Sequence, residues 1–263
     1  MARVLVSLVT HDESRDTERL LPTLFAQTYR DFELVAVDNR SEDGTRASLA
    51  AAKKLAPVPM EIVASRENLG FTGGHNVGIG KAVERGAEWV LVLNADVVLA
   101  PDYLETLLAD ALRPGREWVG AMTGKILRAD GPDLVPSTVV DTAGIRMTRS
   151  GRHFDVGAGE PDTGRWDRPA EIFGVSGCVA LYRVAALEDV KISTGWFDDD
   201  FFVYREDVDL AWRLRGRGWA ARCLPAAVAW HRRRNLPERR RAMSVLANLH
   251  SVKNRFLLRI NNA

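Results

Sequence analysis

Cysteine is scarce in this chain, which has only two in 263 residues. Cys178 and Cys223 lie far apart and neither belongs to a CxxC pair, so a disulfide framework and a thiolate zinc site are both disfavoured. Long apolar runs are missing too, because no stretch reaches the roughly 20 apolar residues that a membrane-spanning helix needs. The first residues also lack the basic region and long apolar run of a signal peptide. We therefore expect a cytoplasmic protein, either soluble or peripheral on the inner face of the cell membrane.

The chain also lacks a broad excess of positive charge. The chain has 36 Lys and Arg against 35 Asp and Glu, and a formal net charge of +1 argues against a nucleic-acid binder. The average hides a basic tail over residues 231–263, where nine Lys and Arg face Glu238 alone and give a formal charge of +8. Apolar residues are interspersed in the tail at Leu246, Leu249, Val252, Phe256, Leu257 and Ile260. Such a helix either lies on an anionic bilayer or is solvated and packs by its apolar face, and both alternatives stay open.

Short apolar runs alternate with helix-period segments through the first 127 residues. This pattern is typical of βαβ units that build a mostly parallel sheet. The predicted strands are Val4 to Thr10, Phe32 to Asp38, Met60 to Ser65, Trp89 to Asn94 and Val119 to Leu127. With 46% apolar residues the chain can bury one large core. We therefore predict a single α/β domain over residues 1–230, with a nucleotide-binding half at 1–127, an acceptor half at 128–230 and a helical tail at 231–263.

After Leu127 the sequence becomes rich in turns. Short runs around Asp141 to Met147 and Ile172 to Tyr182 indicate hairpins and a mixed sheet more than further βαβ units. A helix is predicted from about Glu206 to Arg217, and a short strand then leads to Trp230 and His231. The tail is predicted to be helical from about Glu238 onward.

The usual glycine-rich phosphate motifs are missing from the nucleotide-binding half. Neither G-x-G-x-x-G after the first strand nor G-x-x-x-x-G-K-[ST] occurs. Polar residues instead follow the strands, at the edge where open α/β sheets bind ligands. They are Thr10 and Asp12 after the first strand, Asp38, Asn39 and Ser41 after the second, Arg66 and Asn68 after the third, and Asn94 and Asp96 after the fourth. This edge is predicted to bind a nucleotide.

Asp38 and a glycine segment are notable features of that edge. Asp38 either accepts hydrogen bonds from a base or ribose or merely caps the following helix. The segment over residues 68–78 contains Gly70, Gly73 and Asn76. Several glycines just before a helix lower stability unless the backbone approaches something closely. We expect that close neighbour to be phosphate or sugar.

Two residues are candidate metal ligands. Asp96 follows the apolar run from Trp89 to Leu93, and a carboxylate at the end of a buried strand suits a divalent cation such as Mg²⁺ or Mn²⁺ that bridges a diphosphate. The alternative is an acidic residue that simply ends a strand at the surface. His231, at the end of the last predicted strand, is either a structural histidine or a metal ligand.

Aromatic and acidic residues are concentrated from Gly195 to Asp209, where five aromatics and six carboxylates occur within fifteen residues. Aromatic faces such as those of Trp196 and Phe197 stack on sugars, and a carboxylate beside them gains basicity as it loses solvation. An inverting displacement needs a base near the acceptor hydroxyl. Asp207 is the candidate for that base.

A structural alternative exists for the acidic residues of this segment. Glu206 and Asp207 would then be ordinary first-turn residues that favour the helix dipole, with Asp209 paired to Arg213 one turn later. Both interpretations hold together if Glu206 and Asp209 orient the site while Asp207 faces the acceptor.

Four blocks occur in a recognisable order. They are Val37-Asp38-Asn39 with Ser41 and Asp43-Gly44-Thr45, Asn68-Leu69-Gly70-Phe71 with Gly73-Gly74 and Asn76, Leu93-Asn94-Ala95-Asp96, and Gly195 to Asp209 followed by Arg213 and Gly218-Trp219. This set resembles family 2 glycosyltransferases of the GT-A fold, and most of all bacterial rhamnosyltransferases that use dTDP-L-rhamnose. The resemblance covers Leu5 to about Asn262. It implies a Rossmann-like, mostly parallel sheet with a smaller mixed-sheet acceptor part and a C-terminal helical tail.

The resemblance also implies roles for single residues. Asp96 corresponds to the aspartate of the family's metal motif, and Asn94 stands where a first aspartate is often found. His231 corresponds to a histidine that joins the metal or diphosphate contacts, and Asp207 corresponds to the catalytic base. The residues that would line the nucleoside site are Thr10, Asp12, Asp38, Arg66 and Asn68.

The sequence therefore predicts an inverting glycosyltransferase that depends on Mg²⁺ or Mn²⁺. It would move L-rhamnose from dTDP-L-rhamnose to a glycan or lipid-linked saccharide in cell-surface polysaccharide synthesis. A UDP-sugar-dependent enzyme of the same fold is the main alternative. A sugar-phosphate nucleotidyltransferase would need a basic glycine-rich loop after the first strand, where Thr10-His11-Asp12-Glu13 is acidic instead. A non-catalytic nucleotide-sugar binder is the remaining alternative.

Overall fold

Strands and helices alternate through the first part of the chain. The computed structural model describes residues 3–233 and 245–262. The first elements are β1 (Val4–Thr10), α1 (Ser14–Phe25), β2 (Phe32–Asp38), α2 (Thr45–Leu55), β3 (Met60–Ala64), α3 (Gly70–Glu84) and β4 (Trp89–Asn94). β1 pairs in parallel with β2 and β4, and β2 pairs in parallel with β3. The four strands predicted here are confirmed, with only the end of β3 one residue shorter.

The rest of the described chain adds antiparallel strands and further helices. These elements are β5 (Val97–Leu99), α4 (Tyr103–Ala111), β6 (Val119–Asp130), β7 (Val135–Thr142), β8 (Ile145–Met147), β9 (His153–Asp155), β10 (Ala170–Ile172), β11 (Val179–Arg183), α5 (Val184–Asp189), α6 (Glu206–Gly216), β12 (Ala220–His231) and α7 (Val245–Asn262). β11 lies antiparallel between β4 and β6, whereas β12 runs parallel to β6. Over the described residues the order is β10-β12-β6-β11-β4-β1-β2-β3, with β5 on β12 and β7 on β6. The predicted mixed α/β fold is confirmed.

Boundaries in the second half match the prediction less well. β6 continues three residues beyond the predicted end at Leu127, and β12 is 12 residues long rather than short. These two strands pair along most of their length across register shifts, which no local sequence window reveals. The predicted start of the tail helix near Glu238 lies outside the described residues, and the described helix begins at Val245.

Apolar clusters lie on the two faces of the sheet. Alternate side chains of β1 enter different clusters, with Val4, Val6 and Leu8 in one and Leu5 in the other. Side chains of α1, α2 and α4 complete the first cluster, and those of α3, α5 and α6 complete the second. Helices on both faces thereby bury the sheet and leave the strand ends to form its functional edge.

Helix α3 packs very close to β1 because glycines face the strand. A Cβ atom added at Gly74 would lie 2.7 Å from Val9 Cγ1, and one added at Gly78 would overlap the Ser7 hydroxyl. Real Cβ atoms do not approach so closely, so a larger residue would push the helix away from the sheet.

Gly70 and Gly73 also approach protein rather than an open ligand site. Gly70 has a φ of +70°, and a Cβ atom there would lie 2.5 Å from the Phe202 carbonyl oxygen. A Cβ atom at Gly73 would lie 2.8 Å from Leu69 Cβ. Their close neighbours are thus the loop before α6 and the residue that precedes α3, and a contact of these glycines with phosphate or sugar stays a prediction.

Helix α7 docks through a polar side chain. The buried Asn254 amide donates hydrogen bonds to the carbonyls of Phe201, Val203 and Tyr204, each at 2.8 Å. The tail's predicted apolar residues have 59–76% exposed surface at Leu246, Leu249, Val252, Phe256 and Ile260. Leu258 is buried in a small cluster with Ile145, Phe201 and Val208, and Leu257 packs against it. The helix therefore packs by these two residues, while the other apolar side chains face outward. Among those residues, none of the helices has the length and apolar character required to cross a membrane.

Candidate active site

The carboxyl ends of β1, β2 and β4 lie side by side at one edge of the sheet. Thr10 is opposite Asp38 in the strand register, and Asn94 ends β4 on the other side of β1. The Thr10 hydroxyl is buried and has no hydrogen-bond partner in the described part of the chain, and its contact with a nucleotide stays a prediction. Asp38 is buried, accepts a hydrogen bond from the Ser41 N–H at 3.1 Å and pairs with Arg46. Ser41 lies before Gly44, the N-cap of α2, so the Asp38 contact orders the loop and does not cap the helix. The contact of Asp38 with a base or ribose stays a prediction.

Polar side chains tie the loops of this edge together. The Asp12 carboxylate accepts hydrogen bonds from two backbone N–H groups of the loop after β2, at 2.7 and 3.3 Å. Asn39 donates to the Asn68 side-chain oxygen at 3.0 Å and to the Gly70 carbonyl at 2.8 Å. Arg66, in the loop after β3, is exposed. The loops are thus fixed by protein contacts, and nucleotide contacts by these side chains stay predictions.

Asn76 joins the two halves of the chain. Its amide oxygen accepts hydrogen bonds from the backbone N–H groups of Trp196 and Phe197 at 3.1 and 2.9 Å. Its nitrogen donates to the Phe197 carbonyl and to Asp199 Oδ1, both at 2.8 Å. The structure thus gives Asn76 a positioning role for the aromatic and acidic segment rather than the predicted nucleotide contact.

Three predicted acceptor-site residues belong to the protein interior. Trp196 is 8% exposed and donates through its indole N–H to Glu188 at 2.6 Å. Phe197 and Asp209 are completely buried, and Asp209 pairs with Arg213 at 2.8 Å. The expectation that Phe197 stacks on a sugar is therefore wrong, because its ring has no exposed face. Asp209 supports α6 in the way that the structural alternative predicts.

A histidine and two aspartates meet at the end of β12. His231 lies opposite Val97 because β12 pairs with β5, the short strand that follows Asp96. His231 Nε2 is 3.4 Å from Asp96 Oδ1, and His231 Nδ1 donates to Asp141 Oδ2 at 2.8 Å. Adjacent ligands at about 2.1 Å from an octahedral Mg²⁺ or Mn²⁺ are about 3 Å apart. Asp96 and His231 therefore fit one divalent cation, with Asp141 orienting the imidazole.

The charge of this cluster affects how it would take up a metal. Burial opposes the charged imidazolium, but electrostatic interactions with Cys178, Asp96 and Asp141 outweigh burial and raise the pKa of His231 well above its usual value. A proton on Nε2 competes with a cation for that nitrogen, so metal affinity falls as the pH falls.

Asp141, Cys178 and His231 form a second possible ligand set, whose ligand atoms lie within 4.8 Å of one another. The pair of Asp96 and His231 fits Mg²⁺ or Mn²⁺ better, because a thiolate suits softer ions and these cations prefer oxygen. Nδ1 of His231 is also already bonded to Asp141, which leaves Nε2 towards Asp96.

Asp207 is held at the start of α6 in a poorly solvated environment. Its Oδ2 atom accepts a hydrogen bond from the Gly177 N–H at 3.1 Å. Burial raises the pKa of Asp207 to about 6; the Gly177 hydrogen bond opposes the rise and the charge of Asp155 adds to it. Burial and the charge of Asp207 raise the pKa of the neighbouring Glu206 well above its usual value. Asp207 is thus ionised at neutral pH and basic enough to accept a proton.

Residues 177 and 178 connect this carboxylate to the donor edge. Gly177 donates to Asp207, and the carbonyl of Cys178 accepts a hydrogen bond from the Asn94 N–H at 2.9 Å. The backbone just before α6 is strained, with positive φ values of 63°, 72° and 73° at Phe202, Tyr204 and Arg205. Strain of this kind is concentrated at functional sites in proteins.

A cavity of about 570 Å³ is lined by residues of β6, the β8–β9 hairpin and α7, together with Arg205 and Arg233. Asp155 and Arg233, which line the cavity, both act electrostatically on the Asp207 carboxylate. The arginines of its lining are Arg128, Arg152, Arg205, Arg233, Arg255 and Arg259. Sequence reasoning missed this cavity and also missed Asp141 as the partner of His231. The tail arginines were a signal for the cavity, but their charge alone did not show where they converge.

The chain is similar to known glycosyltransferases in sequence and in fold. The family model described as Glycosyl transferase family 2 matches residues 6–191. N-acetylglucosaminyl-diphospho-decaprenol L-rhamnosyltransferase of Mycobacterium tuberculosis (strain ATCC 25618 / H37Rv) is 30% identical over 243 residues, which cover 86% of this chain and 75% of the relative.

Two solved structures share the fold. The structure of GalNAc-T7 with UDP, GalNAc and Mn²⁺ has a TM-score of 0.72 and 15% sequence identity, and the match covers 97% of this chain and 48% of that one. The mannosyltransferase PcManGT from Pyrobaculum calidifontis, with GDP-Man and Mn²⁺, has a TM-score of 0.60 and 21% identity, and the match covers 90% and 58% of the two chains. The chain thus spans about half to three fifths of these solved chains.

Proposed function

The chain belongs to glycosyl transferase family 2, and on that premise we propose that it transfers a sugar, with inversion, from a nucleotide-diphosphate donor to an acceptor hydroxyl. The reaction depends on a divalent cation, Mg²⁺ or Mn²⁺, at Asp96 and His231. The acceptor is a glycan or a lipid-linked saccharide of cell-surface polysaccharide synthesis. The activity, donor and acceptor of the whole protein are all part of this proposal.

One observation carries the proposal. Residues 177–178 bond both to the end of β4, beside the pair of Asp96 and His231, and to the basic carboxylate of Asp207. Asp96 and His231 are 3.4 Å apart at the donor edge. We place the diphosphate at the metal-compatible pair and the acceptor hydroxyl at Asp207, so that the two flank the sugar that is transferred.

The proposed chemistry is a single displacement at the anomeric carbon. Asp207 accepts the proton of the acceptor hydroxyl as that oxygen attacks, so a carboxylate with a pKa near 6 is ionised when needed. The bond from the anomeric carbon to the diphosphate oxygen breaks on the opposite face, which inverts the configuration. Asp96 and His231 would hold a divalent cation, whose charge would stabilise the departing nucleoside diphosphate. Asp141 holds the imidazole of His231 in the orientation that this requires.

L-Rhamnose from dTDP-L-rhamnose is the proposed donor. The printed name of the mycobacterial relative, an L-rhamnosyltransferase, supports this choice at 30% identity. UDP-sugars are the alternative, since GalNAc-T7 and another neighbour were solved with UDP. The nucleotidyltransferase alternative has no comparable support, because the loop after β1 is acidic.

Association with an anionic membrane surface completes the proposal. The name of the same relative specifies a diphospho-decaprenol acceptor, which is lipid-linked. Helix α7 turns an apolar stripe outward that includes Leu249, Val252 and Phe256, and its basic residues flank this stripe. An exposed apolar stripe flanked by arginines suits the interface of an anionic bilayer.

Donor hydrolysis is the experiment that tests the transferase chemistry. The full chain is incubated with dTDP-rhamnose, UDP-hexoses or GDP-mannose, each with Mg²⁺, Mn²⁺ or chelator. We expect metal-dependent release of nucleoside diphosphate from dTDP-rhamnose above the other donors. Asp96→Asn should abolish the release, whereas Asp130→Asn, an exposed aspartate at the end of β6, should leave it unchanged.

Other outcomes separate the alternatives. Preferred release from a UDP-hexose would replace the rhamnose donor and keep the transferase. Release of pyrophosphate from a nucleoside triphosphate would indicate a nucleotidyltransferase. Tight donor binding without turnover, also with saccharide acceptors present, would contradict catalysis and support a binding module.

A further inference from the structure

The cavity lined by Arg233 and Asp155 is strongly basic. Six arginines line it, and Asp155 is the one carboxylate in its lining, which gives these residues a formal charge of +5. Its volume of about 570 Å³ lies within the range of roughly 300–1,000 Å³ for small-molecule sites. A sphere of that volume is about 10 Å across, so charges on opposite walls are about one Debye length apart at physiological ionic strength, where that length is about 8 Å. Their mutual repulsion is partly screened there and becomes stronger at low salt.

Protein carboxylates balance only part of this charge. Arg233 pairs with Asp155 at 2.5 Å and with Asp141 at 3.3 Å. Arg152 stacks on the Phe154 ring, with its guanidinium carbon 5.2 Å from the ring centre. Within residues 3–233 and 245–262, Arg255 and Arg259 form no ion pair. Converging guanidinium groups without enough carboxylates are a site for a multiply charged oxyanion.

The cavity adjoins the surroundings of the base and also the end of β12, where Arg233 contacts Asp141. Its lining comes from β6, the β8–β9 hairpin, the start of α6, the end of β12 and α7, and none of it from the strand ends β1–β4. Two lining residues, Asp155 and Arg233, act electrostatically on the Asp207 carboxylate. An anion in the cavity would therefore contact residues that act on the base, while the proposed nucleotide edge of β1–β4 contributes none of its lining.

We propose that this arginine-lined cavity binds the diphosphate group of a lipid-linked saccharide acceptor and so holds the saccharide hydroxyl against Asp207. The inference rests on the proposed transferase function, since it assigns the acceptor of that reaction. A saccharide by itself is uncharged and would not need six arginines, whereas a diphosphate ester offers several acceptor oxygens for bidentate guanidinium contacts.

Helix α7 provides the link to the lipid. Arg255, Leu258 and Arg259 face the cavity, and the same helix presents Phe256 and Ile260 to solvent with 62% and 76% exposure. A diphosphate in the cavity would leave its lipid chain close to this apolar stripe. The diphosphate and the lipid of one acceptor molecule would thus contact two faces of one helix.

Inorganic pyrophosphate is the probe for the diphosphate site. Its binding to the full chain is measured by titration calorimetry at low salt, with chelator present so that no metal recruits it to Asp96 and His231. Arg255→Gln with Arg259→Gln removes two exposed charges that α7 tolerates, because glutamine is a good helix former. Arg113→Gln with Arg217→Gln removes the same charge from exposed positions outside the cavity and is the matched control.

We expect the Arg255 and Arg259 double variant to bind pyrophosphate at least tenfold more weakly, and the control pair to bind within about twofold of the parent chain. Equal weakening in both pairs would mean that only net charge matters and would overturn the proposal. Undetectable binding to the parent chain, or unchanged binding in the cavity variant, would overturn it as well. Orthophosphate binding as tightly as pyrophosphate would contradict a diphosphate site.

Two further arms identify the source of the phosphate. Farnesyl diphosphate should displace pyrophosphate from the parent chain, as a lipid-linked diphosphate would. Vesicles of phosphatidylcholine with phosphatidylglycerol test the bilayer surface instead. If the cavity variant loses vesicle binding but keeps pyrophosphate binding, these arginines serve the membrane surface and the proposal is wrong. Because pyrophosphate binding needs no turnover, failure of the donor hydrolysis experiment would remove the transferase function alone.

Discussion

Carboxylates at the donor edge and at the start of α6 have opposite surroundings. Asp12 and Asp38 accept hydrogen bonds from backbone N–H groups, and Asp38 also pairs with an arginine. Glu206 and Asp207 are poorly solvated and lie side by side, and burial raises the pKa of both. Donors that surround a carboxylate stabilise its charge, whereas loss of water makes it a better base. The carboxylates of the donor edge thus fix loop conformations, whereas those at the start of α6 are suited to accept a proton.

The same contrast applies to how the two regions are assembled. Each donor-edge loop is fixed by contacts between neighbouring βα units, as in the bond from Asn39 to Asn68. The α6 region depends on partners from distant parts of the chain, such as Asn76 and Asn254. A substitution in the second region therefore has more ways to disturb catalysis without affecting donor binding.

The largest effect is expected at the base. Asp207→Asn removes the proton acceptor and leaves the shape of the side chain, so kcat for transfer should fall by roughly 10²- to 10⁴-fold. Donor KM should stay within about twofold, because Asp207 is on the acceptor side. The measurement is transfer at saturating donor, with Asp200→Asn as a control in the same acidic segment. Normal transfer by a folded Asp207→Asn variant would make the assignment of the base wrong.

Stability provides an independent test of the same residue. The pKa of Asp207 is about 6 in the folded chain, whereas an unfolded aspartate titrates near 3.9. Stability from this group is complete below about pH 4 and is lost as the pH rises through 6, because the folded state then holds a poorly solvated charge. The Tm of Asp207→Asn relative to the parent should therefore be higher at pH 8 than at pH 4. A Tm difference that does not change with pH would contradict the raised pKa.

Local patterns predicted the donor half well because its pairing is local. β1, β2 and β4 are buried apolar runs, and their ends bring Thr10, Asp38 and Asn94 to one edge by topology alone. The second half was not predictable in this way. The bond between His231 and Asp141 spans 90 residues and depends on a long β12 that pairs with both β5 and β6.

Burial decided the cases that composition predicted wrongly. Phe197 looks like a sugar-stacking ring in the sequence, yet its ring packs edge-on against Phe71 and Tyr182 in the core. The glycines of α3 predicted a close approach to the backbone, and Val9 and Phe202 are such close neighbours. The sequence could not show that these neighbours are protein residues, because they come from β1 and from the loop before α6.

An intermediate effect is expected at the residue that orients the metal ligand. Asp141→Asn weakens the hold on the His231 imidazole, and loss of such a contact typically lowers metal affinity by roughly 10- to 100-fold. The Mn²⁺ dependence of donor hydrolysis measures this change, with activity recovered at high Mn²⁺. Asp130→Asn is the control at an exposed aspartate. Unchanged Mn²⁺ affinity in a folded Asp141→Asn variant would show that His231 is not the ligand that Asp141 positions.

The smallest effect on activity is expected from substitutions at the glycines of α3. These substitutions test whether the glycines are needed for helix packing or for ligand binding. Gly78→Ala would overlap Ser7, and overpacking of this kind typically costs about 1–3 kcal/mol of unfolding free energy. Gly80→Ala in the same helix meets only the Trp196 ring at 3.7 Å, so the better helix propensity of alanine should make it neutral or stabilising by up to about 1 kcal/mol. Urea unfolding of both variants measures the difference, and donor KM should be unchanged in each. A Gly78→Ala variant that kept its stability but raised the donor KM would contradict this prediction. The glycine segment would then contact the donor, because the substitution would weaken donor binding and not the packing of α3 on β1.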